Sequence, residues 1–222
     1  MNLPDNLLSL SWYAGGWLLF ALLCALAVWR APWSRLADSG SLNLWLGNCV
    51  ILMLMWSMKA GVQPGLNFHL LGAMLMTLEF GPALAFLGIA VVLAGVTLNG
   101  AVGWQGFGLN ALLMGAVPVA CSYLIWWLGN RFLPKNLFVF IFANGFFGSG
   151  LTMLATGVVS SLLLGAAGVY PLAVLAENYL PYFVLLGFSE AWIAGMVLTL
   201  MVVYRPAWIS TFDEARYLAK RS

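Results

Sequence analysis

Charge is what this chain has least of. Asp, Glu, Lys and Arg together make up 7% of its 222 residues, while 63% are hydrophobic. Such a chain cannot furnish a water-soluble surface. With a mean hydropathy of +0.97, it is expected to be an all-α integral membrane protein, with membrane lipid as its surroundings. A formal net charge of +2 offers a polyanion little to hold, so nucleic acid is not expected as a partner. Cysteine is scarce and scattered. Cys24, Cys49 and Cys121 each lie in an apolar run without CxxC spacing and read as small buried hydrophobes, not a redox or metal site. Histidine occurs once, so neither HExxH nor a bis-histidine haem site can be built. No GxxxxGK[ST] is present, so the chain is not expected to be an enzyme that hydrolyses ATP. Internal repeats and long polar linkers are also missing, leaving one membrane domain. Finally, the opening "MNLPDNLLSLSW" has no Lys or Arg and does not read as the basic start of a secretory signal.

Long apolar runs are what the chain has instead. A hydrocarbon core about 30 Å thick needs about 20 helical residues. Runs of this kind are expected at Trp12–Trp29, Leu42–Lys59, Leu109–Leu128, Leu137–Gly165 and Val174–Tyr204. The stretch from Asn67 to Leu98 is interrupted by Gly81 and Pro82, which split it into Asn67–Phe80 and Pro82–Leu98. About seven transmembrane helices follow from this division. Arg30, Arg35, Arg131, Lys135, Arg205, Arg216, Lys220 and Arg221 then fall on one side, provided the Asn67–Leu98 stretch crosses twice. Basic loops favour the cytoplasm, so the N-terminus is expected to be extracytoplasmic and the C-terminus cytoplasmic. Only Lys59 is left outside. Residues 1–204 make the membrane domain and 205–222 a tail. In that tail Thr211 and Glu214 have capping-box spacing, and Trp208, Phe212, Ala215 and Ala219 recur at helical spacing. It reads as a short amphipathic helix on the cytoplasmic membrane surface, either an anchor or a docking element for a partner subunit.

On this topology the polar N-terminus and His69 share the extracytoplasmic face. A neutral imidazole is the commonest protein metal ligand, so His69 is the first candidate for chemistry, against a structural role at a helix end. Glu190, inside the last span, stands between a solute or proton site and a hydrogen bond between helices. Glu79 beside the Gly81 break reads as a local cap or pair, and Glu177 with Lys59 as an ion pair. Asn99, Asn110 and Asn144 are expected to bond neighbouring backbone. Met53, Met55, Met58, Met74 and Met76 read as packing, although thioethers can line a path for a soft ion. Ser149, between two glycines, leaves an intramembrane hydrolase as a remote alternative.

"MNLPDNLLS" is similar to the "MHIPDGFL" or "MHIMEG" start of one transporter family. "FHLLGAMLMTLEFGPALAFLGIAVVL" resembles that family's His-containing segment with its Gly-Pro break, and "NGAVGWQGFGLNALLMG" its Gly-rich loop and Asn-bearing helix start. The family is CbiM/NikM, the substrate-specific membrane subunits of cobalt and nickel energy-coupling factor (ECF) ABC transporters. The resemblance runs through most of the chain. It implies a seven-helix domain in the bacterial plasma membrane, its N-terminus folded into the extracytoplasmic mouth. It also implies a transported Ni or Co ion with no permanent cofactor, and energy from cytoplasmic ATPase subunits acting through a coupling membrane protein. In the family, metal is held by the free N-terminal amine, the backbone nitrogen and imidazole of a His at position 2, and a second His.

Carried over residue by residue, Met1 and His69 match. Position 2 is Asn2, whose carbonyl oxygen is a harder and weaker donor than imidazole. The family's acid in the last span falls near Ala194 here, with Glu190 one turn earlier. The resemblance therefore implies a metal site of Met1, Asn2 and His69, with Asp5, Asn110 and Glu190 as accessory polar residues and Asp5 as a candidate further donor. The alternatives are a subunit for another small solute, or a membrane scaffold or regulatory subunit that kept the fold and lost metal capture.

Overall fold

The computed structural model describes residues 2–58 and 60–218. Among these, six helices are long and apolar enough to cross a membrane. They are α1 (Leu10–Arg30), α2 (Ser39–Ser57), α3 (Ala73–Leu98), α4 (Phe107–Phe132), α5 (Leu137–Ala166) and α6 (Leu180–Tyr204). Local chemistry sets several of their ends. Asp38 caps α2 by accepting from the Ser41 amide at 2.8 Å, and α1 stops at Arg30, just before Pro32. α3 is the most buried of the six and α1 the least. Leu, Val, Phe and Trp side chains exposed along the other helices make the lipid-facing surface.

α3 accounts for the difference from seven. Its backbone is broken at Gly81 (φ 79°, ψ 169°), and Pro82 begins the second arm. Contacts with α2 show which way each arm runs. On the first arm Gly72 lies against Leu52, and Glu79 accepts from Asn48 Nδ2 at 2.5 Å. On the second, Leu84 O accepts from Trp45 Nε1 at 3.0 Å, and Gly95 lies against Met53. The first arm thus runs antiparallel to α2 and the second parallel to it. The chain turns back on itself at Gly81, and Met76 of the first arm packs against Gly88 of the second. The first arm differs from the expected Asn67–Phe80 helix. Residues up to Phe68 form strand, helix begins only at Ala73, and arm 73–80 rises only about 12 Å, too little to span alone. It is a half-helix buried within the bundle, where neighbouring helices shelter it from lipid.

Before it lies a hairpin of β1 (Ala60–Gln63) and β2 (Leu66–Phe68), pairing Ala60 with Phe68 and Gly61 with Asn67. Pro64 followed by Gly65 at φ 80° is the residue order of a type II turn.

Residues 2–8, the hairpin, the 99–106 loop and the start of α4 gather at one end of the bundle. At the other end, Arg35 Nη2 donates to Trp208 O at 2.9 Å and the Tyr217 hydroxyl bonds Asn130 Oδ1 at 3.3 Å. The basic loops therefore share one end, opposite the N-terminal segment. The tail departs from expectation. Among its described residues Pro206–Trp208 is a 3-10 turn and only Glu214–Tyr217 is α-helical, with Asp213 rather than Thr211 at the cap position. Thr211 Oγ1 instead donates to Leu78 O at 2.8 Å. Phe212 and Tyr217 stack on each other and meet Phe140 edge-on. Apolar burial against the bundle outweighs the weak helical periodicity. Ala219, Lys220 and Arg221 lie outside the described residues, as does Lys59.

Candidate metal centre

The N-terminal segment is fastened into the mouth by hydrogen bonds from several elements. Asn110, fully buried at the start of α4, takes Leu3 from both sides: the Leu3 amide donates to Oδ1 at 2.7 Å and Nδ2 donates to Leu3 O at 3.0 Å. The Tyr13 hydroxyl accepts from the Leu7 and Leu8 amides at 3.0 and 3.1 Å and donates to Pro4 O at 2.8 Å. Asp5 Oδ1 accepts from the Gly106 amide, and the Asn6 amide donates to Gln105 Oε1, both at 3.0 Å. Asn67 Nδ2 donates to Asn2 O at 3.2 Å. Close backbone approach makes this arrangement feasible. A Cβ at Gly106 would lie 2.7 Å from Leu3 O, and one at Gly108 2.6 Å from the Trp17 amide nitrogen, so α1 and α4 meet nearly backbone to backbone.

The segment delivers Asn2 to His69. Both are 3% exposed, and Nε2 of His69 lies 3.3 Å from Asn2 Oδ1 and 3.2 Å from Met114 Sδ. Nδ1 lies 2.9 Å from Leu70 O. The Trp56 ring, fully buried, covers the imidazole at 4.7 Å between centroids. Behind the imidazole, Glu190 of α6 accepts from the Leu71 amide at 2.9 Å and the Gly72 amide at 2.7 Å. Those amides precede the first turn of α3, so the carboxylate acts as a cap supplied by another helix. It fixes the backbone two residues beyond His69.

The structure thus brings Asn2 and His69 together, while Met1 lies outside the described residues. Asp5, Asn110 and Glu190 are positioned as fasteners: Asp5 and Asn110 hold the plug, and Glu190 holds the segment carrying His69. Among the described residues Ser149 Oγ has no hydrogen-bond partner, and no Ser–His pair is formed there. Among the described residues no three His, Cys, Asp or Glu side chains converge. An ion here would have to be held by imidazole, amide, thioether and main-chain or terminal nitrogen. Met114 and Trp56 escaped the sequence reading. Met114 follows Asn110 by four residues on α4, and that spacing places both on one helix face.

Residues 2–208 match the family described as CbiM, cobalt uptake substrate-specific transmembrane region. The chain belongs to the CbiM family. Membership makes it a multi-pass membrane component of metal uptake. A crystal structure described as a transition metal transporter shares the CbiM-family fold seen here, with a TM-score of 0.73 at 19% identity over 90% of this chain and 92% of the other. A structure described as a truncated transition metal transporter matches with the same TM-score and identity over 92% and 99%. No curated protein matches the sequence. Family and fold are a transporter's, not an enzyme's.

Proposed function

We propose that this CbiM-family chain is the substrate-capture subunit of an ECF-type ABC transporter and takes a divalent transition metal, nickel or cobalt, at its extracytoplasmic mouth. The observation carrying this reading is the contact of Asn2 with His69 Nε2 across 67 residues of sequence. The Met1 amine, the Asn2 backbone nitrogen and carbonyl, and the His69 imidazole supply the donors. Nitrogen donors in close array suit Ni(II) and Co(II). A cleft of ≈ 400 Å³ lined by Asn2, Asp5, Asn67 and the 100–103 loop lies beside the site and gives the ion its approach. The basic end of the bundle is the cytoplasmic one. There the folded tail and the Arg131 loop offer the surface for a coupling membrane protein and cytoplasmic ATPase subunits.

The test is calorimetric titration of the detergent-solubilised, metal-free protein with its N-terminus unblocked, against Ni(II) and Co(II), with His69→Ala alongside. The expected result is saturable binding by the wild type and none by His69→Ala. Equal binding by both refutes the site. A second reading has Asn2 in its favour, since the family's imidazole is missing at that position. In it, the chain is a scaffold that binds metal only as Asn2→His.

A further inference from the structure

Away from the mouth, the bundle opens a groove between α1 and α4. The two helices meet nearly backbone to backbone at Gly16 and Gly108, and nearer the basic end a groove of ≈ 310 Å³ separates them. Small side chains leave the space: Ala27 on α1 and Ala116 and Ala120 on α4, over a floor of Ala83 and Phe86 from the second arm of α3. It runs from Leu23 to Arg30 on α1 and from Ala116 to Tyr123 on α4, about 10 Å along each helix. That is most of one leaflet's share of a hydrocarbon core about 30 Å thick.

The groove faces lipid, and its lower end is polar. Leu26 on its rim is 45% exposed. Arg30 lies about 21 Å along α1 from Gly16, and Tyr123 about 22 Å along α4 from Gly108, so the two stand at one level. Trp29 and Trp33, both exposed, mark that level as the headgroup region, where amphipathic rings collect. Among the described residues Arg30 has no carboxylate partner, its one contact being the Trp29 ring at 5.5 Å from the guanidinium carbon. The Tyr123 ring packs on Trp126, and its hydroxyl makes no hydrogen bond among the described residues. A guanidinium with its donors unused matches a phosphate in shape and charge. An apolar slot one leaflet deep, ending in that cation and a hydroxyl, is complementary to a molecule that carries an alkyl chain and a phosphate in the same order.

We propose that the groove binds an anionic phospholipid of the cytoplasmic leaflet, with one acyl chain between α1 and α4 and the phosphate on Arg30 and the Tyr123 hydroxyl. Basic pockets between membrane helices take anionic headgroups in this way. The choice of leaflet rests on the orientation proposed above, whereas the site rests on the groove alone and needs no metal.

The experiment is native mass spectrometry of the metal-free full chain, released from nanodiscs of equal phosphatidylglycerol and phosphatidylethanolamine. Wild type is compared with Arg30→Gln, Ala120→Phe and Arg205→Gln, the last a control at the same end of the bundle on α6. Arg30 and Ala120 are both exposed, so neither change disturbs the core. The wild type is expected to retain one phosphatidylglycerol in preference to phosphatidylethanolamine. Retention falls about 5-fold in Arg30→Gln, the effect of one cation at an anionic membrane surface. Ala120→Phe, whose ring fills the slot, loses the preference, and Arg205→Gln keeps it. Equal retention of the two lipids by the wild type overturns the inference, as does wild-type retention by Arg30→Gln or Ala120→Phe. An equal fall in Arg205→Gln overturns it by showing surface charge without a site, and a dimer dispersed by Ala120→Phe does so by seating a second copy in the groove. None of these outcomes touches the capture reading, because no ion is present.

Discussion

Asn110→Ala should release the N-terminal plug without unfolding the bundle. Leu3 is 1% exposed and Asn110 0%, and the two amide groups exchange both a donor and an acceptor. Each such hydrogen bond contributes about 0.5–1.5 kcal/mol net, and a buried group stripped of its partner costs about 1–3 kcal/mol. Losing both therefore destabilises the docked segment by roughly 2–3 kcal/mol, given that an opened mouth lets water reach part of Leu3. At 1.4 kcal/mol per factor of ten, the open population rises about 30- to 150-fold.

Amide hydrogen exchange reads that population directly, because a segment that opens on its own exchanges independently of the core. Protection at Leu3, Asn6, Leu7 and Leu8 should fall by that factor, while amides of α3 and α6 keep theirs. Metal should restore part of the loss, since an ion held by Asn2 and His69 binds only the docked state. Unchanged protection at residues 3–8 would refute the assignment of Asn110 as the latch. An equal loss throughout α3 and α6 would refute it too, by showing that the substitution damages the bundle.

Glu190→Ala strips two buried amides of their acceptors, and at about 1–3 kcal/mol per stranded amide thermal unfolding should show a loss of roughly 2 kcal/mol or more. Glu190→Gln keeps one acceptor oxygen and should lose about half as much; wild-type stability in both would remove the capping role. Gly81 and Gly47 both have open space where a Cβ would stand, so they differ in backbone conformation alone. Gly81→Ala should destabilise by about 1–3 kcal/mol because of its positive φ, whereas Gly47→Ala, inside α2, should stabilise by about 0.5–1 kcal/mol. Thermal scans that shift both the same way would contradict the reversal at Gly81.

Much of this architecture is visible in the residues before any coordinates. Composition decides the membrane class, because no other solvent tolerates so few charges. The Gly81-Pro82 pair marks the reversal, since φ of 79° is open to glycine and proline suits the first position of the arm that follows. Counting basic loops puts the N-terminal segment and His69 on one face of the membrane, and only the fold shows that they touch. What stays hidden is tertiary. Nothing local in "LNFHLLGAMLMTLEF" shows that helix waits until Ala73, because β2 competes for the same apolar residues. The tail has true helical spacing, but Phe212 and Tyr217 gain more from Phe140 than from an isolated turn. Asn110 looks like any amide near a helix start, and its partner lies 107 residues away. Met114 was lost among ten methionines, and only its position one turn past Asn110 separates it from the packing residues.

The fastenings of the plug also bear on where transport requires work. Tyr13, Asn110, Asp5 and Gln105 hold residues 3–8 through hydrogen bonds in which neither Asn2 nor His69 takes part. These bonds meet part of the cost of ordering the segment, and preorganisation of this kind raises affinity by sparing the ligand that cost. It also offsets part of what a carbonyl oxygen at position 2 loses against an imidazole. The same latch opposes release, since an ion seated between Asn2 and His69 leaves only if the plug lifts or the bundle rearranges around it. A mouth that closes by itself and opens against several buried hydrogen bonds captures readily and discharges poorly. On the capture reading proposed above, discharge is then the step that needs an outside source of energy, and the proposed ATPase subunits are where it would enter.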